Sequence, residues 1–171
     1  MLSKEEFEII ALSLKVALAS VVLSAPIALA CALVLARTTF PGKTLFDAIV
    51  HLPLVLPPVV IGYFLLVVFG KQGAVGAWLH DLFGVSFAFR WTGAALAAAV
   101  MGFPLMVRAM RLSLEAVPPK LEWAARTLGA SRLRTFLSVT LPLALPGVAV
   151  GVLLAFARSL GEFGATITFV S

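Results

Sequence analysis

The chain has 171 residues, 61% of them apolar and 12% charged, whereas a soluble domain carries about a quarter charged residues. Apolar runs near or above the ~18 residues of a spanning helix recur along it, and the ~10-residue alternation of barrel strands is absent. The composition therefore excludes an ordinary soluble enzyme or a membrane β-barrel and leaves an all-α membrane protein, while the net charge of +5 is gathered in a few loops.

The first predicted span covers residues 9–36, and its one charge, Lys15, lies near the start, where it can snorkel to the interface. Residues 1–8 are acidic rather than basic and the following apolar run exceeds a signal h-region, so no cleavable signal is expected. Cys31, the single cysteine, excludes an intrachain disulfide. The second span covers 46–69 and holds Pro53, Pro57 and Pro58. Each removes a backbone donor and bends the helix, which is either a structural kink or the lining of a water-filled pathway. Val75, Trp78, Leu79, Leu82 and Phe83 then recur at helical spacing, as in a short amphipathic helix lying in the interface. Trp78 and Trp91 fit an aromatic belt. The third span covers 92–110 and the fourth 143–160.

Small residues recur every four positions: Ser20, Ser24, Ala28 and Ala32; Ala94, Ala98 and Gly102; Gly147, Gly151 and Ala155. Such rows let helix backbones approach, within one subunit or between two. Orientation follows from Lys and Arg in the loops. The segment between the third and fourth spans carries Arg108, Arg111, Lys120, Arg126, Arg132 and Arg134. That places it in the cytoplasm and, by alternation, places the N-terminus and the His80 loop outside. With no linker and no clear internal repeat, residues 1–171 read as one domain with a cytoplasmic loop over about 111–141.

That loop is the most structured polar stretch of the chain. Pro118 and Pro119 suit a helix start, the helix runs to about Leu128, and Gly129 is a left-handed stop. Glu122 and Arg126 stand four apart in the favourable order. Leu121, Ala125 and Leu128 share one face, and small Ala124 and Ala125 let another surface come close. Ser131 can cap a second helix before Leu141-Pro142 opens the fourth span. Positive-inside sorting alone would produce an ordinary basic loop; the structured reading is an element offered to a soluble partner.

The stretch resembles the EAA loop of ABC importer permeases: Glu-Ala-Ala, three residues, Gly, nine residues, Ile, one residue, Leu-Pro. Ala124, Ala125, Gly129, Leu141 and Pro142 match, Val139 takes the isoleucine position, and Trp123 stands where the family has glutamate, with Glu122 one place early. The resemblance implies a type I importer fold. It also implies coupling to an ATPase subunit through Glu122, Trp123, Ala124, Ala125 and Gly129, framed by Leu141 and Pro142. Residues 51–60 (His-Leu-Pro-Leu-Val-Leu-Pro-Pro-Val-Val), 103–108 (Phe-Pro-Leu-Met-Val-Arg) and 158–166 (Arg-Ser-Leu-Gly-Glu-Phe-Gly-Ala-Thr) are similar to the molybdate-importing permeases. The sulfate permeases share a related Gly-Glu-Phe-Gly run. What this implies is import of molybdate or tungstate, or alternatively sulfate, by a permease homodimer in the bacterial inner membrane. Its implied partners are two ABC ATPase subunits, a periplasmic oxyanion-binding protein and membrane lipid, with no nucleic acid. In that family the chain continues beyond the position of Ser171 into a further span.

No catalytic residue or metal set is expected. The chain has no glycine-rich phosphate loop with Lys and Ser/Thr, so ATP and Mg belong on the partner ATPase. His51, His80 and Cys31 lie on separate elements without metal-ligand spacing. An intramembrane hydrolase would need Ser159 beside His51, which fall near opposite ends of their spans. A channel or secondary transporter would need no docking helix. Arg158 and Glu162, one turn apart in the fourth span, read as a local ion pair or an outer gate. Thr166 and Thr168 are expected to join them in lining the outer mouth.

Overall fold

The computed structural model of the chain describes residues 4–70, 73, 75–76 and 91–170, the side chains of residues 5 and 162–170 excepted. The described residues form α1 (Lys4–Arg37), α2 (Lys43–Val55), α3 (Pro58–Phe69), α4 (Trp91–Ala116), α5 (Pro119–Thr127), α6 (Arg132–Thr135), a π-helical turn (Phe136–Thr140) and α7 (Leu141–Val170). Among these residues three helices are long and apolar enough to cross a membrane, or four if the bent pair α2–α3 counts as one span. Of the expected interfacial helix, Val75 is described and helical, while Trp78, Leu79, Leu82 and Phe83 lie outside the described residues, as does His80.

Two Pro-Pro pairs punctuate the chain. A residue before proline is pushed out of the α region. Leu56, before Pro57, therefore has ψ 139°, and Pro57, before Pro58, has ψ 141°. The run expected as one span over 46–69 becomes two helices meeting at 113°. The same device at 118–119 holds Pro118 at ψ 125° and separates α4 from α5. α4 extends to Ala116, so Arg111 and Glu115 belong to a helix rather than to the loop, and α7 continues as helix past residue 160 to Val170.

α4 lies between α1 and α7, and the core is drawn from all three: Ala28, Ala32 and Leu35 of α1, Met106, Met110 and Leu114 of α4, Ala144 of α7. The rows of small residues face each other inside this one chain. A Cβ on Gly102 would stand 3.1 Å from Ala155 Cβ, and one on Gly151 would stand 3.0 Å from Met106 O. Where α1 meets α7, the hydroxyls of Ser20 and Ser159 lie 3.2 Å apart, both buried. Each hydroxyl also lies within reach of a carbonyl of its own helix, Ala17 O for Ser20 and Ala155 O for Ser159, so one can donate across the contact and the other into its helix, and both are satisfied. Leu23, Val59, Tyr63 and Leu153 face outward, between 64% and 82% exposed. Apolar surface on this scale is compatible with lipid or subunit contact and not with water.

The charges at the ends of the bundle have defined partners. Lys15 places its ammonium 4.2 Å from the centroid of the Trp91 ring, a cation–π contact that joins α1 to the start of α4. At the other end Arg111 of α4 donates from Nη1 to Asp47 Oδ2 of α2 (3.0 Å) and from Nε to Glu115 Oε1 (2.8 Å). His51 Nδ1 lies 2.9 Å from the carbonyl oxygen of Asp47. His51 is thus a hydrogen-bonding residue of a charged cluster that holds the broken helix against α4.

Candidate functional site

α5 differs from every other element in sequence and in setting. None of its residues is buried, although it sits between spans whose shared core is sealed. Pro119 occupies its first turn, where the missing N–H costs nothing. Its end is a complete Schellman motif. Ala130 N–H donates to Ala125 O (3.1 Å) and Gly129 N–H to Arg126 O (3.0 Å), with Gly129 at φ 87°. Ser131 accepts from Arg134 N–H at 3.3 Å and caps α6 as its sequence requires. The chain thereby reverses on a defined backbone and not on a loose loop.

The sequence-predicted residues divide into two groups. Leu121, Trp123, Ala124 and Leu128 point away from the bundle; Trp123 is 63% and Leu128 88% exposed. Ala125 is half-buried. Glu122 points the other way. Its Oε1 accepts from Arg37 Nη2 at the end of α1 (2.7 Å) and from Thr140 Oγ1 in the π turn (2.7 Å). The same Arg37 nitrogen donates to Leu114 O of α4 (3.0 Å). The expected pairing of Glu122 with Arg126 is absent, because the carboxylate turns inward to a fixed cation whereas Arg126 would meet it only at the solvent face. Removing one member of such a half-buried charged set leaves the other desolvated without compensation, at a cost of about 1–3 kcal/mol.

Arg37 and Thr140 were not legible as site residues. Arg37 stands 85 residues from Glu122 and reads as a basic residue closing a span. Thr140 stands 18 residues away, inside the spacer of the loop motif. Leu141 and Pro142 start α7, Leu141 half-buried and Pro142 exposed. Pro142 has no N–H for the carbonyl four residues back and its ring crowds it. The wider π spacing falls just before it, where Leu141 N–H reaches back to Phe136 O. A cleft of about 600 Å³ opens beside the helix, lined among others by Arg37, Glu122, Trp123, Arg126, Arg132 and Thr140. Three of these are cationic and one anionic, so the cleft is basic.

The far-end candidates are less defined. Arg158 is exposed on α7. Glu162, Thr166 and Thr168 lie on its helical backbone, but their side chains lie outside the described residues. Ser159 and His51 are not brought together: the first is buried against Ser20 and the second faces Asp47. Among the described residues no group of three His, Cys, Asp or Glu could hold a metal ion.

The described geometry is thus a solvent-facing helix with a fixed end, set between membrane spans. Residues 12–171 match the family described as binding-protein-dependent transport system inner membrane component. The chain belongs to this family. It is 62% identical to the molybdenum transport system permease protein ModB of Escherichia coli (strain K12) over 170 residues, covering 99% of this chain and 74% of that protein. The protein of the same name from Haemophilus influenzae is 60% identical, covering 97% and 72%. The sulfate transport system permease protein CysT of Escherichia coli is 44% identical over 78% of this chain and 48% of its own. A crystal structure of an amino acid ABC transporter with histidines superposes with a TM-score of 0.62 at 21% identity, covering 93% of this chain and 69% of that one, and supports the fold. The chain is a membrane component of a transport system and not its ATPase.

Proposed function

We propose that the chain is the permease subunit of an ATP-driven importer that carries molybdate or tungstate across the bacterial inner membrane by alternating access. The observation that carries the transport reading is α5, a polar helix with no buried residue, ended by a left-handed glycine and held out from the bundle. Its outward side chains, Leu121, Trp123, Ala124 and Leu128, form the docking surface for an ABC ATPase, which holds ATP and Mg. Two copies of the permease enclose the pathway in lipid, two ATPases dock beneath them, and a periplasmic oxyanion-binding protein delivers cargo. The molybdate reading rests on the permeases at 60% and 62% identity, against 44% for the sulfate permease. Arg158, Glu162, Thr166 and Thr168 are assigned to the outer mouth, where weak contacts suit a cargo that must leave again.

Uptake by proteoliposomes holding the assembled transporter, with its binding protein outside and ATP within, tests this reading. Labelled molybdate should enter only with ATP, and excess sulfate should not compete. Uptake of sulfate with no response to molybdate would overturn the substrate while leaving the class intact.

The orientation proposed here has the N-terminus outside and α5 in the cytoplasm, from the basic residues around α5 and α6. Single cysteines at Ser3 or Ser131, in a Cys31→Ser background, should differ in intact cells. An impermeant thiol reagent should label the first and not the second. The reverse pattern would invert the topology.

A further inference from the structure

We infer that Glu122 is a positioning residue, the strut through which movement of α5 reaches the membrane spans, and not a contact to the ATPase. This rests on the docking role of α5 proposed above.

α5 places no residue in the core, so beyond its chain connections and its contacts with α6 and the π turn, its side-chain hydrogen bonds are what tie it to the spans. Among the described residues, Glu122 is the one side chain of α5 hydrogen-bonded outside its own helix; Thr127 Oγ1 bonds only to Ala124 O. One carboxylate oxygen reaches three elements: α1 through Arg37, α4 through Arg37 and Leu114 O, and the approach to α7 through Thr140. These are short charge-assisted bonds, which hold geometry better than neutral ones. Thr140 is buried and is the last residue of the π turn. A π turn inside an otherwise α-helical run is a recurrent functional feature, and here it separates α6 from the long span α7. Displacing α5 would therefore draw the ends of α1 and α7 together with it. The docking face itself points elsewhere, so loss of the strut and loss of docking are separable.

The test uses the assembled transporter with its ATPase and binding protein. Thr140→Val is nearly isosteric and deletes one bond; Glu122→Ala deletes both; Thr140→Ser restores the hydroxyl. Ala124→Glu on the exposed face serves as the docking comparison. The readouts are co-purification of the ATPase, stimulation of ATP hydrolysis by loaded binding protein, and transport per ATP. The expected result is that Thr140→Val and Glu122→Ala keep the ATPase bound and lose about tenfold in stimulation, within the usual span of coupling between distant sites. Transport per ATP should fall in parallel, and Thr140→Ser should recover both. A merely structural role would lower the amount of folded protein without changing transport per ATP in what remains. Undiminished stimulation in both variants, or release of the ATPase by Glu122→Ala, would overturn the strut. If Ala124→Glu left the ATPase bound and transport intact, the docking reading would fail instead.

Discussion

Gly147→Leu should prevent the bundle from closing. Gly147 lies where α7 crosses α4, and even a single Cβ there would run into Ser113 Cβ, with Ser113 Oγ at 2.6 Å and Ala109 O at 3.1 Å. These are backbone or near-backbone atoms of a helix and cannot swing aside, so the two helices would have to separate. The same separation would break the bond from Ser113 Oγ to Ala144 O (3.1 Å). Gly147→Ala should already cost about 1–3 kcal/mol, the usual penalty of overpacking, and Leu should cost more. A graded series follows from the local space. Gly102→Ala, with Ala155 Cβ at 3.1 Å, should be milder than Gly147→Ala, and Gly62→Ala, with nothing within 4 Å, should be neutral or stabilising in the isolated chain. Ser113→Gly should partly rescue Gly147→Ala by removing the two nearest atoms. Thermal denaturation in detergent, followed with the yield of membrane-inserted protein, reads the series. If Gly147→Leu melted like the parent, the crossing described here would be wrong.

Gly129→Val and Ala124→Glu should each uncouple the permease from its ATPase, by different routes. At Gly129 a side chain would meet nothing within 4 Å, so space is not the obstacle. The obstacle is φ at 87°, which costs an ordinary L-residue about 1–2 kcal/mol and a β-branched one more. The strain falls on the two bonds that end α5, so the exposed face loses its orientation. Gly129→Asn should be far milder, because asparagine tolerates the left-handed region. Ala124 is exposed in this chain, so glutamate there should leave stability within about 0.5 kcal/mol. It should nevertheless weaken ATPase binding by about tenfold, equivalent to 1.4 kcal/mol, if the partner surface closes on the small side chain. Equilibrium binding of the ATPase to nanodisc-held permease checks both. Unchanged affinity in Gly129→Val and Ala124→Glu together would exclude docking through α5.

The parts of the chain that sequence alone determines are those written in short-range chemistry. Apolar runs longer than a bilayer crossing determine membrane helices, because no other fold satisfies their backbone in lipid. Pro118, Pro119, Gly129 and Ser131 determine the start, stop and restart of α5 and α6, because φ restriction, left-handed tolerance and side-chain capping act within a few residues. The loop spacing from Ala124 to Pro142 was likewise readable by position. Other features needed distance in space. That 46–69 is a bent pair depended on two successive residues being driven extended at 56 and 57, a stronger break than a kink. That the small-residue rows pack inside one chain depended on which helix faces met, a choice periodicity leaves open. Glu122 shows the limit most clearly. Its neighbours in sequence offered Arg126, but the tertiary fold brought Arg37 from 85 residues away to 2.7 Å. A half-buried carboxylate takes the fixed cation it can reach without crossing solvent, and only the packing of α1 beside α5 decides which cation that is.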